Sequence, residues 1–132
     1  MAKRELHYRG HTIEELQSMP LDDVMKFFSS RARRSLKRGL DEQQTKLLEA
    51  AVEARKTPQK KPIRTHCRDM VILPEMAGLR FGVYNGKEFV DVEVNVEMLG
   101  KFLGEFALCR RTVKHSAPGV GATRSSLFVP IK

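Results

Sequence analysis

The chain has 132 residues, of which 41% are hydrophobic, and it carries a formal net charge of +8 at pH 7, which fits one domain with appended segments. It has no apolar run near the roughly 18 residues of a membrane-spanning helix, and its start, MAKRELHYRG, lacks the apolar stretch of a signal peptide. The basic excess favours a polyanionic partner, most often a nucleic acid, and we expect a cytoplasmic protein.

Capping residues and apolar spacing divide the N-terminal part into three predicted helices and a linker. Thr12 and Glu15 form the T-x-x-E pattern of a capping box, which begins the first helix. Pro20 suits the first turn of the second helix, and Gly39 suits its end. Asp41 with Gln44 begins the third helix. The predicted elements are helices over 12–19, 20–38 and 41–56, followed by the proline-containing linker 57–64.

The segment RARRSLKR, 31–38, places five basic residues in eight positions. Basic side chains near a helix C-terminus match the helix dipole and often only face water. The same cluster also suits a helix end that contacts phosphates. The sequence leaves both interpretations open.

The middle of the chain is predicted to form three strands and one covering helix. Residues 70–73 form a short apolar run that Pro74 ends, which indicates a buried strand. Asn95 is a good N-cap for a helix that ends at Gly104. The predicted elements are strands 70–73, 79–84 and 87–94 and a helix over 96–103.

The dipeptide Asn-Gly at 85–86 predicts a two-residue hairpin turn between the second and third strands. Such a turn sets the register of the hairpin. In that register Phe81 lies opposite Val90, and Arg80 lies opposite Asp91.

These elements predict an α+β fold with an N-terminal helical extension, a small three-stranded sheet with a covering helix, and an extended basic C-terminal tail. The predicted parts are the helical extension and linker, 1–62, an α+β core, 63–108, and the tail, 109–132.

The end of the chain is basic and contains no acid, since its last 27 residues, 106–132, hold five basic residues and no acidic residue. Lys and Arg pair with phosphates, and His can stack on a base. The small residues of KHSAPGVGATRSS, 114–126, favour a segment that orders only on its partner. The predicted nucleic-acid contacts of the tail are Arg110, Arg111, Lys114, His115 and Arg124.

The sequence predicts no catalytic, metal or cofactor site. The stretch GVGAT, 119–123, lacks the lysine of a phosphate-binding loop. No C-x-x-C pair is present to suggest zinc, and the acid-free tail has no carboxylate to orient a catalytic histidine. We therefore expect the protein not to be an enzyme.

Four blocks of sequence carry a resemblance to a known family. They are LPEMAG (73–78), YNGKEF (84–89), VEMLGKFLGEFA (96–107) and RRTVKHSAPGVGATRSS (110–126). Together they resemble the small-subunit ribosomal protein nineteen family, and the last block, with the helical N-terminal extension, resembles its archaeal and eukaryotic branch. The resemblance covers nearly the whole chain, loosely before Pro62 and closely after it.

The resemblance implies a structural component of the head of the small ribosomal subunit, which binds small-subunit rRNA near the aminoacyl-tRNA and decoding site during translation. The implied neighbours are small-subunit ribosomal protein thirteen and, through the tail, tRNA or mRNA. The rRNA contacts that it implies outside the tail are Arg64, Arg68, Asn85, Gly86, Lys87 and Lys101.

Two other classes of protein stay open at this point. A chromatin or other DNA-binding protein would share the net charge, but it predicts a folded basic face instead of acids concentrated in the sheet unit. An RNA-modifying enzyme predicts a pocket with converging polar groups, and the sequence shows no such constellation.

Overall fold

The fold combines short helices with one small mixed sheet. The structure, a computed structural model, describes residues 6–57, 61–110 and 112–113. Within these ranges the elements are α1 (Ile13–Ser18), α2 (Leu21–Phe27), α3 (Ser30–Lys37), α4 (Glu42–Lys56), β1 (Ile63–Thr65), β2 (Arg80–Tyr84) and β3 (Phe89–Glu93). The predicted α+β class is confirmed.

The first and last helices begin where their capping residues predict. The backbone N–H of Glu15 donates to Thr12 Oγ1 at 3.3 Å, and the backbone N–H of Thr12 donates to the Glu15 carboxylate at 3.1 Å. At the start of α4, the backbone N–H of Asp41 donates to Gln44 Oε1 at 3.3 Å. These bonds satisfy N–H groups that have no partner inside the helix.

The single helix predicted over 20–38 is wrong, because the chain breaks into α2 and α3. Phe28 is extended, with ψ of 165°, and the hydroxyl of Ser29 accepts from the N–H of Ala32 at 3.4 Å to begin α3. The break turns Phe28 into the core, where it is 2% exposed. Gly39 ends α3 at a φ of +94°, as its position predicts.

The sheet contains three strands, but the first is not the predicted one. β1, which lies partly inside the predicted linker, pairs parallel to β2, and β2 pairs antiparallel to β3. The apolar run 70–73 lies outside the sheet and makes one bridge, between Val71 and Phe102. The run is apolar because it is completely buried, with Met70 and Ile72 0% exposed. A short apolar run indicates burial but does not by itself identify a strand.

The predicted covering helix over 96–103 is also wrong. Two 3-10 turns, Val96–Met98 and Leu103–Glu105, flank an irregular turn at 99–101 instead. Gly100 has a φ of +74°, and its N–H donates to the carbonyl of Ile72 at 3.0 Å. The positive φ and the bonds to the neighbouring segment are incompatible with a continuous helix.

The hairpin register differs from the predicted one by two residues. Tyr84 pairs with Phe89 and Phe81 pairs with Val92, so the connection has four residues, 85–88. The longer loop forms because the Asn85 side chain accepts two N–H groups inside it, each at 2.9 Å. An even shift keeps every side chain on its predicted face.

Helices and sheet share one hydrophobic cluster. It runs from Leu16 in α1 and Phe28 beside α2 to Ile72, Phe81 and Leu103. The N-terminal helices therefore supply part of the core in which the sheet is buried. The division of the chain at residues 62 and 108 stays a prediction.

We predict that Leu16→Ala destabilises the whole fold. Leu16 is 2% exposed in the shared cluster, and removing a buried leucine side chain costs about 2–5 kcal/mol. Urea unfolding followed by circular dichroism measures the change in the free energy of unfolding. Leu21→Ala is the matched control, because Leu21 is 46% exposed and should change stability by about 0.5 kcal/mol or less. Equal unfolding midpoints for the two variants would show that α1 is not part of the core.

Candidate nucleic-acid interface

The sheet has one buried face and one face that points away from the core. Ile63, Phe81 and Val92 lie side by side on the buried face. Because side chains alternate along a strand, their neighbours Arg64 and Gly82 belong to the outward face. The outward face is where β1 and β2 can present side chains to a partner.

Gly82 lets an arginine and an aromatic ring meet across the central strand. A Cβ atom at Gly82 would lie 3.4 Å from Arg64 Cγ and 3.6 Å from Phe89 Cβ. The Arg64 guanidinium carbon lies 5.2 Å from the centroid of the Phe89 ring, which is the geometry of a cation–π interaction. The sequence predicts that Gly82 lies directly opposite Phe89 and makes room for its ring. In the structure Gly82 lies opposite Asp91, and Phe89 is its diagonal neighbour on β3.

Three rings cluster beside this pair at the hairpin end of the sheet. The ring centroids of His66 and Tyr84 are 4.6 Å apart, those of His66 and Phe89 are 5.3 Å apart, and those of Tyr84 and Phe89 are 5.2 Å apart. The Tyr84 hydroxyl donates to the carbonyl of Gly86 at 2.9 Å and so fixes the ring against the loop. Arg64, His66, Tyr84 and Phe89 are called the aromatic face below.

The aromatic face can stack on nucleobases. Rings and guanidinium planes stack on unpaired bases, which are the main target of sequence-specific RNA recognition. His66, Tyr84 and Phe89 are absent from the sequence-predicted contacts. Two features of the sequence could have indicated these residues. Tyr84 and Phe89 flank the hairpin turn, and His66 follows Arg64 by two residues.

The hairpin loop extends the aromatic face with backbone and basic groups. Asn85 Oδ1 accepts from the N–H groups of Lys87 and Glu88, so this predicted contact residue is engaged in holding the loop. Gly86 and Lys87 are exposed, and Gly86 has a φ of +103°, which favours glycine. The exposed backbone and the ammonium group of Lys87 suit a phosphate.

Arg68, a predicted rRNA contact, lies in a different environment. Its guanidinium donates to the carbonyl oxygens of Tyr84 at 2.6 Å, Gly104 at 3.0 Å and Ala107 at 2.6 Å. These charge-assisted bonds join the end of the hairpin to the segment that leads into the tail. Arg68 therefore has a structural role, and its contact with rRNA stays a prediction.

The start of the tail leaves the fold beside the hairpin. Ala107 and Tyr84 bond to the same guanidinium, and Arg110 follows three residues later and is exposed. Three extended residues span roughly 10 Å, so Arg110 lies within that distance of Ala107, at the junction with the hairpin end. The predicted contacts Arg111, Lys114, His115 and Arg124 lie outside the described residues.

Lys101 lies in the irregular turn between the two 3-10 turns. It is exposed, and its ammonium group lies 3.9 Å from the Glu105 carboxylate. A pair so far apart and so open to water holds the lysine weakly. Lys101 is therefore accessible to a phosphate.

Two acidic residues of β3 share the outward face. Asp91 lies opposite Gly82, and Glu93 lies opposite Arg80 at the end of the sheet away from the hairpin loop. The carboxylate of Asp91 lies 3.6 Å from the Arg80 guanidinium, and Glu88 is an exposed acidic residue of the loop itself. The outward face is therefore mixed in charge, and the features that suit it to RNA are its rings, Arg64 and Lys87.

No group of three or more His, Cys, Asp or Glu side chains that could hold a metal occurs in the part of the chain that the structure describes. None of the helices within those ranges has the length and apolarity to cross a membrane. On α2, the hydrogen bond to Asp23 raises the pKa of Lys26.

A small basic α+β protein that exposes rings and cations on one sheet face has the features of an RNA-binding protein. The sequence profile described as "Ribosomal protein S19" matches residues 34–115, which is more than half of the chain. The chain therefore belongs to the ribosomal protein S19 family, as the four sequence blocks indicate. Membership makes it an rRNA-binding ribosomal protein of the small subunit, with a structural role in translation.

We predict that Arg68→Ala destabilises the protein by about 2–4 kcal/mol, because three carbonyl groups lose charged hydrogen bonds. Urea unfolding of the full chain measures this loss. Arg64→Ala is the control, since Arg64 is exposed and its cation–π contact contributes roughly 0.5–1 kcal/mol. Arg68→Lys should fall between them, because a lysine cannot span the same carbonyls. If Arg68→Ala proves as stable as Arg64→Ala, the bridging role is wrong.

Proposed function

We propose that the protein is a structural component of the head of the small ribosomal subunit, where it binds small-subunit rRNA near the aminoacyl-tRNA and decoding site during translation. Family membership supports the small-subunit role. The resemblance of the blocks in 73–126 to the small-subunit ribosomal protein nineteen family supports the finer location. The observation that carries the RNA-binding part is the aromatic face, which lies beside the hairpin loop and the exit of the tail.

The protein binds through two kinds of contact. Arg64, His66 and the neighbouring rings stack on bases that the rRNA leaves unpaired. Lys87, Lys101 and Arg110, with the basic residues of the tail, neutralise phosphates and release counterions. Binding positions the rRNA and involves no reaction, which agrees with the structural, non-enzymatic nature of the family.

The partners follow from the same proposal. The protein acts in cytoplasmic ribosomes, beside small-subunit ribosomal protein thirteen, and its tail, 109–132, reaches toward tRNA or mRNA at the decoding site. The helical extension, 1–62, and the α+β core, 63–108, then serve as the part that docks on the head. Duplex DNA, the alternative polyanion, is a poor fit to the aromatic face, because its bases are stacked and paired.

We predict that Arg64→Gln and His66→Ala each weaken binding to rRNA of the 3′ major domain. Loss of stacking costs about 1–3 kcal/mol per base, so affinity should fall roughly 5- to 150-fold. Fluorescence anisotropy at fixed salt measures the dissociation constant. Arg80→Gln is the matched control for Arg64→Gln, because it removes the same charge from the acidic end of the same face.

Two results would contradict the proposal in different ways. Equal affinity of the wild-type chain for duplex DNA and for head-domain rRNA, at matched salt, would overturn the ribosomal function. Unchanged rRNA affinity in both Arg64→Gln and His66→Ala would leave the function standing and would remove the aromatic face from the interface.

A further inference from the structure

Helix α3 presents a continuous arc of basic side chains to solvent. At 3.6 residues per turn, Ala32 and Leu36 lie on the inner side, where they are 0% and 8% exposed. The opposite arc contains Arg33, Arg34 and Lys37, followed by Arg38 at the C-cap, and all four are exposed. These four residues are called the α3 basic face.

Within the described part of the chain, the cations of the α3 basic face have no acidic partner, since none of the four lies within 4.0 Å of a carboxylate there. Lysines on the neighbouring helices differ, since Lys26 lies 2.7 Å from Asp23 and Lys46 lies 2.6 Å from Glu42. Like charges four residues apart, as in the spacing of the α3 basic face, destabilise a helix.

The helix dipole explains only part of this arrangement. The first turns of α1, α2 and α4 contain acidic residues, as the positive end of a helix favours, whereas the first turn of α3 contains none. Arg31 and Arg33 lie in that turn instead. The helix dipole therefore favours Arg34 and Lys37, which lie in the last turn of α3, but it does not account for the cations at the other end of the same helix.

The surroundings of the face indicate which ligand chemistry it suits. Ser30 and Arg31 line one open surface depression together with the four residues of the α3 basic face. That lining includes no aromatic side chain, so the depression offers hydrogen-bond donors and positive charge but no stacking surface. The guanidinium of Arg31 lies 5.2 Å from the Phe102 ring centroid, which ties α3 to the stretch that carries Lys101.

We propose that the α3 basic face is a second RNA-binding site, which takes backbone phosphates of the rRNA and reads no bases. The proposal rests on the rRNA-binding function above and adds a contact from the N-terminal helices. Arg31 and Arg33 precede the residues that the family profile matches, 34–115. Guanidinium groups suit phosphates because they donate two parallel hydrogen bonds to its oxygens.

The test compares two triple variants of the full chain, each of which removes three positive charges. Arg33→Gln/Arg34→Gln/Lys37→Gln removes cations of the α3 basic face, and glutamine preserves helix propensity. The control, Lys26→Gln/Lys46→Gln/Lys56→Gln, removes exposed cations from α2 and α4. Circular dichroism checks that both variants keep the helical content of the wild type.

The readout is the salt dependence of binding to rRNA of the 3′ major domain. The slope of log affinity against log salt falls by about 0.7–0.9 for each lost phosphate contact. The α3 variant should therefore show a slope smaller by about 2–3, and the control a slope smaller by less than about 1. Hydroxyl-radical footprinting should show that the α3 variant loses one patch of rRNA protection, separate from the patch that Arg64→Gln loses.

Each contrary result is distinct. Equal slopes for the two triple variants would show a general effect of net charge and would overturn the proposal. A wild-type slope in the α3 variant, together with its failure to enter reconstituted small subunits, would assign the face to an acidic protein and not to RNA. Failure of the ribosomal function itself is separate, because it appears in the wild-type chain as equal binding to duplex DNA.

Discussion

The hydrogen bonds of one guanidinium hold the candidate interface in place. Arg68 joins the carbonyl of Tyr84 to those of Gly104 and Ala107, which lie 36 and 39 residues away from it in the sequence. Its own carbonyl accepts from the N–H of Gly104 at 2.8 Å. A Cβ atom at Gly104 would lie 2.9 Å from that oxygen, so only glycine fits this close approach. The hairpin end, its rings and the exit of the tail all depend on this junction.

The outward face of the sheet separates two kinds of interaction that depend differently on salt. Contacts between rings and bases are largely stacking, whereas the lysine and arginine contacts release counterions and weaken as salt rises. The rings cluster at the hairpin end, where Arg64 completes the cluster, whereas Glu93 lies at the other end of β3 and Asp91 pairs with Arg80. The acidic middle of the sequence is therefore compatible with RNA binding, because these two carboxylates lie beside Arg80 and not within the ring cluster.

Local signals in the sequence predicted local structure, and long-range contacts decided the rest. Each capping pair, Thr12 with Glu15 and Asp41 with Gln44, lies within four consecutive residues. Helices α1 and α4 begin where these pairs predict. The run 70–73 was predicted as a strand because its apolar residues report burial, but its backbone partners lie near Gly100, about thirty residues further along the chain. The register was wrong because a side chain, that of Asn85, closes a longer loop.

The same limit applies to the candidate site. Family resemblance indicated Arg64 and Lys87, which the structure places together at the hairpin end of the sheet. His66 and Phe89 were not predicted, because their role depends on mutual ring contacts that form only in the folded sheet. The resemblance implied the same role for Arg68 as for Arg64, since nothing in the local sequence shows which guanidinium donates to carbonyl groups.

The shared core gives the two basic surfaces a fixed relation. Ala32 and Leu36 anchor α3 in the cluster that contains Phe81, beneath the aromatic face. Arg31 adds a second link, to Phe102. Phosphate contacts carry no sequence information, but two surfaces held at a fixed distance accept only an RNA whose shape presents unpaired bases and backbone at that same distance. Rigid packing of the helices against the sheet can thus supply specificity that the basic side chains alone do not have.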